Sequence, residues 1–175
     1  MDGAAPPNHP RVRRECVTAE NVNALFDKYG VPDDFDLLGI DIDGNDYWVW
    51  QAIHPRFRPA VVVMEYNASI PPSESRVMPY DPSFRWDRTD YFGASLLALA
   101  RLARRKGYAL VYCERCGVNA FFLREDVNPY VDRTVAAVYR QPDYLGARLF
   151  GLGRLYWPRG VGHKKDRRRV MVDVD

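Results

Sequence analysis

Four oxygen-bearing side chains stand in two short stretches of the 175-residue chain. Asp41 and Asp43 lie in Asp36-Leu-Leu-Gly-Ile-Asp-Ile-Asp-Gly-Asn-Asp-Tyr-Trp-Val-Trp-Gln-Ala-Ile53. Glu65 and Asn67 lie in Ala60-Val-Val-Val-Met-Glu-Tyr-Asn67. These are hard donors of the kind Mg²⁺ takes while keeping several waters. A cation so held lowers the pKa of a hydroxyl bound to it and makes a nucleophile. Side chains alternate along a strand, so Asp41 and Asp43 share a side if the strand reaches them. The plainer alternative is that these acids cap a helix and solvate the end of a sheet. Asp46 suits a helix start in that sense. His54, just before Pro55, is the core-region histidine available as a general base, or else a structural residue at a helix end. Tyr66 and Tyr91 are candidates for lining a substrate site, and packing explains them equally well.

Such residues act only if elements hold them together. The spacing of Val22, Leu25, Phe26 and Tyr29 predicts a helix capped by Thr18 and stopped by Gly30 and Pro32. Residues 36–42 are apolar without alternation, which predicts a strand buried on both faces. A turn at Gly44, a helix from Tyr47 to Ile53 and a second buried strand over 60–66 come next. In open α/β sheets ligands sit beyond the carboxyl ends of such strands. Residues 68–92 carry Pro71, Pro72, Pro79 and Pro82 with many aromatics, and predict an ordered loop or lid near those ends. Gly93 to Lys106 predicts a helix with late cations. Tyr108–Cys113 and Val118–Leu123, joined by Glu114-Arg-Cys-Gly117, predict an antiparallel hairpin. A weaker helix is expected within 127–140.

Composition bounds the rest. Hydrophobic residues make up 47%, enough for one domain with a core. The net charge is +2, but residues 154–175 hold seven Lys/Arg against three acids. The basic character therefore belongs to the tail. That tail can touch a phosphate-rich partner such as RNA, or be merely solvated. Three cysteines form no even framework and point to a reducing compartment. No apolar run approaches the roughly 20 residues of a membrane span. Cys113-Glu-Arg-Cys116 lacks the further ligands of a zinc site and reads as an incidental turn.

The run from Asp36 to Ile53 resembles the Ile-Asp-Val-Glu-Gly segment of FkbM-like methyltransferases, in a branch with an Asp-Gly-Asn-Asp-Tyr-Trp form. Val62-Val-Met-Glu-Tyr-Asn-Ala-Ser69, Tyr91-Phe-Gly-Ala-Ser-Leu96 and Gly117-Val-Asn-Ala-Phe-Phe-Leu123 resemble later blocks of that branch. The resemblance spans about residues 15–126. It implies a class I S-adenosylmethionine-dependent fold: a Rossmann-like sheet whose parallel strands end in an antiparallel hairpin. It implies O-methyl transfer, and a possible Mg²⁺ held by Asp41 or Asp43 with Glu65 and Asn67. No glycine-rich cofactor turn follows an early strand, and Gly151-Leu-Gly153 stands near the other end. The expectation is therefore a truncated methyltransferase sheet, with a flexible leader at 1–14, an α/β domain at 15–140 and a Gly/Arg/aromatic-rich basic tail at 141–175. A non-catalytic interaction subunit is the alternative. Either way, a half sheet leaves an open edge near 36–42, a place for a homodimer or protein partner. Asp41-Ile-Asp-Gly also resembles the nucleophile motif of haloacid-dehalogenase-type phosphatases, with Asn45 where that motif has Thr. There Asp41 would attack phosphorus and Asp43 act as the acid.

Overall fold

Apolar strand runs and amphipathic helices alternate along the chain, and the computed structural model shows how they pack; it describes residues 12–130, 133–143 and 162–175. First come α1 (Val22–Lys28), β1 (Asp34–Ile40), α2 (Asp46–Ala52) and β2 (Arg58–Glu65). A long connection holding the two-residue β3 (Arg76–Val77) leads to α3 (Leu96–Arg105). The hairpin β4 (Tyr108–Cys113) and β5 (Asn119–Arg124) is next, then a 3₁₀ turn at Glu125–Val127, α4 (Val135–Val138) and β6 (Val172–Asp173). The main sheet has the order β1-β2-β5-β4. β1 runs parallel to β2, and the β2–β5 and β5–β4 pairs are antiparallel. The α/β class, the parallel pair and the terminal hairpin match the expectation.

The two faces of this sheet differ. Residues paired across strands share a face. Ile40, Val62, Met64, Phe122, Ala120, Leu110 and Cys113 lie on one face and are all buried. Trp50 of α2 packs on that face, with its ring 5.2 Å from Phe122 and 6.0 Å from Tyr108. α3 touches both α2 and β4. The opposite face carries Leu37, Val61, Val63, Leu123, Phe121 and Tyr112, none of them fully buried. Leu37 is 60% exposed and Tyr112 46%. The expected two-sided burial of the first strand is therefore corrected. An apolar run without alternation implies burial on both faces only if both are covered. β1 is an edge strand, and its Leu37 side stays open.

Boundaries shift for local reasons. Thr18 does not cap α1; its carbonyl accepts from the N–H groups of Asn21 and Val22, and the helix starts after Asn21. α3 starts at Leu96 because Ser95 caps it, its Oγ accepting from the Ala98 N–H at 3.1 Å. Ala94 instead bridges to Val77. Gly117 closes the hairpin turn at φ +72, where a Cβ would stand 2.7 Å from the Gln141 carbonyl oxygen.

The loop over 68–92 is ordered, and the end of the chain lies against it. β6 pairs with β3, and Ser75 Oγ donates to the Val174 carbonyl at 2.6 Å. Arg169 pairs with Asp87 and Asp166, and its guanidinium sits 4.3 Å from the Tyr91 ring centroid. Part of the tail's positive charge is thus matched within the chain. Most of the leader, the Gly151-Leu-Gly153 repeat and the middle of the tail lie outside the described residues. No helix among the described residues is long and apolar enough to cross a membrane. Cys16, Cys113 and Cys116 are free thiols.

Candidate functional site

Past Ile40 the chain turns through 41–45 into α2, and Asp46 builds this turn. Its buried carboxylate accepts from the Ile42 N–H and the Gly44 N–H, each at 2.9 Å. Burial pushes its pKa up, against the downward pull of those backbone donors. Asp46 therefore starts the helix as expected, but by folding back onto the turn instead of capping α2. Asp43 takes the left-handed conformation at φ +56, which Asp tolerates better than most residues. Gly44 must lack a side chain, because a Cβ there would stand 2.6 Å from the Phe84 ring. The loop is laid across the turn by two further contacts. Asn45 Nδ2 donates to the Asp81 carbonyl at 2.8 Å, and Trp48 Nε1 donates to the Met78 carbonyl at 2.8 Å.

The turn brings Asp41 and Asp43 to Glu65, the last residue of β2. One carboxylate oxygen from each lies within 4.8 Å of the other two. Glu65 is only partly accessible, and its pKa is pushed up to about 8, first by burial and then by Asp41, Asp46 and Asp43. Asp41 is raised as well, by burial and by Asp43. Mutual repulsion is the electrostatic character of this corner. The donor set fits a hard divalent ion. Opposite ligands at about 2.1 Å from Mg²⁺ stand about 4.2 Å apart, and around Ca²⁺ about 4.8 Å. The three carboxylates are close enough for either after small side-chain motions.

The remaining expected site residues are placed elsewhere. Asn67 is fully buried, and its Nδ2 donates to the carbonyls of Asp90 at 2.7 Å and Phe92 at 2.9 Å. Its Oδ1 accepts from the Ser69 N–H at 3.0 Å, so Asn67 clamps the loop instead of facing the acids. Tyr66 is fully buried, its hydroxyl donating to the Arg140 carbonyl at 2.9 Å. It serves the core, not an open substrate site. Tyr91 is half-buried beside Phe84, with ring centroids 6.2 Å apart, so Phe84 stands between it and the Gly44 turn. His54 is exposed at the far end of α2, next to the start of β2, and its Nδ1 accepts from the Arg56 N–H. The acids lie past the other end of β2, roughly 20 Å of strand away. His54 cannot serve them as a base. Cys113 is buried, and its thiol is pushed up to about 12, which makes it a packing residue.

Sequence reasoning missed Asp46 as the builder of the turn and Phe84 as its cover. The Asp43-Gly-Asn-Asp46 run signals a tight turn, whereas nothing near Phe84 in sequence reveals the contact. Comparison with known protein families, curated proteins and solved structures finds no match to this chain.

Proposed function

We propose that this chain is an FkbM-like methyltransferase-type domain whose strand-end acids hold a divalent cation against an acceptor hydroxyl. The observation that carries this reading is the convergence of Asp41, Asp43 and Glu65 past the ends of two parallel strands. The order of elements supports it too, since a parallel pair followed by an antiparallel hairpin is the closing part of such a sheet. Mg²⁺ bound there would lower the pKa of the acceptor hydroxyl. The chain's own contribution is the charge of Asp41 and Asp43, the exchangeable proton of Glu65 and the fixed turn behind them. Glu65 retains its proton near neutrality and releases it when positive charge arrives. His54 has no part in this arrangement.

S-adenosylmethionine is the methyl donor in this reading, and the described residues do not provide its cradle. The one glycine of the strand-end turn is covered by Phe84, so no backbone approach is open there. Calorimetry of the folded chain with S-adenosylmethionine, with and without Mg²⁺, tests the methyltransferase part. Saturable binding supports it. No heat in either condition refutes cofactor use by this chain alone and leaves the metal to its own titration.

One observation favours a second reading, an interaction subunit. β1 is an open edge, and its Leu37 is exposed. Unpaired strand edges invite another chain. Light scattering at micromolar concentration should then show a dimer that Leu37→Glu weakens. A monodisperse monomer from the parent chain would refute self-pairing.

A further inference from the structure

A cleft lies at the end of the sheet opposite the acids, and a ligand bound there would be independent of the methyltransferase reading. The cleft measures about 390 Å³, within the range of small-molecule sites. Its floor is apolar and aromatic: Leu38, Trp50, Ile53, Phe57 and Tyr108. The charges around it are mostly positive, from Arg58, Arg105, Lys106 and Arg124 against Glu125 and Asp126. Most of these cations are already matched. Arg58 and Arg124 pair with Asp126, and Arg124 also with Asp34. Arg105 donates to the Tyr47 hydroxyl and the Asp175 carbonyl.

Lys106 is the exception. Its Nζ donates to the carbonyl oxygens of Ile53 at 2.9 Å and Gln51 at 3.4 Å, at the end of α2. Neither acceptor carries a full charge, and an ammonium has three donors. Among the described residues no carboxylate pairs with it. Burial holds its pKa below the ordinary lysine value, which marks a cation lacking countercharge. His54 stands on the rim. Because its Nδ1 accepts from the Arg56 N–H, its Nε2 carries a proton to donate.

We propose that this cleft binds a small carboxylate with an aromatic body, the anion at Lys106 and the ring against the apolar floor. Charge complementarity sets the anion, and the floor sets the ring. A neutral aromatic would leave Lys106 unmatched. A bare anion would leave the apolar floor, and Leu38 above all, without a contact.

NMR titration of the full chain with 1-naphthoate, 1-naphthalenemethanol and inorganic phosphate tests this. Naphthoate should shift the Trp50 indole signal and bind at least about tenfold tighter than the alcohol. Lys106→Met should erase that preference, and Lys106→Arg should keep most of it. Leu38→Trp, which fills the cleft and leaves the cation in place, should block binding. The same affinity for acid and alcohol would overturn the proposal. So would an unmoved Trp50 signal at millimolar naphthoate, or phosphate alone binding as tightly as naphthoate.

Discussion

Glu65 keeps its proton because burial and three neighbouring carboxylates all disfavour its charge. An unfolded glutamate loses its proton near 4.5, and the folded one near 8. Between these values the folded chain binds more protons than the unfolded chain, so stability falls as pH rises. The contribution is intact below about pH 4.5 and is lost by about pH 8, on the order of a few kcal/mol. Glu65→Gln removes the titration. Urea denaturation should find the variant and the parent similar near about pH 5, and the variant more stable above about pH 8. A parent whose stability rises over that interval, with the variant following it, would show that Glu65 is not held neutral. The acids themselves were legible in the sequence, because each ends an apolar run. Their mutual approach depends on Asp46 reaching back to Ile42 and Gly44, and spacing alone does not specify that contact.

The long connection between β2 and α3 becomes an element through one buried amide. The Asn67 side chain, itself fully buried, satisfies two loop carbonyls and one loop N–H. Asn67→Ala would strand the buried Phe92 carbonyl, remove the partners of the half-buried Asp90 carbonyl and the Ser69 N–H, and cost about 2 kcal/mol. Hydrogen exchange should speed up over 68–92 while the β2–β5 pairing keeps its protection. Uniform acceleration across the sheet would instead show that the loop and the sheet open together. The order of helices, strands and hairpin was readable, since each carries its own period and its own stop signal. The loop's course was not. It depends on Phe84 meeting Gly44, on Asn45 holding Asp81 and on β6 returning to β3, all contacts between segments far apart in sequence. The same limit explains Asn67 and Tyr66: alternation places a side chain on a face, but not what that face meets.

At the scale of the whole molecule the sheet has one face covered by helices and one open face ending in the acids. Leu37, Val61, Val63, Phe121, Leu123 and Tyr112 make the open face apolar, and Glu65 lies at its end. Every strand of the main sheet reads as apolar in the sequence, but which face the helices cover is decided by where α2 and α3 pack. The functional ends are also separated: acids gather past the carboxyl ends of β1 and β2, and the cationic cleft opens at the other ends. Whether the acids form a cation site is read most directly by calorimetric titration of the folded chain with Mg²⁺ at about pH 7, in two buffers of different protonation heat. One saturable site per chain is expected, with release of close to one proton per ion and loss of that release in Glu65→Gln. No saturable heat at millimolar Mg²⁺, or binding with no proton released, would contradict a cation site built on Asp41, Asp43 and Glu65.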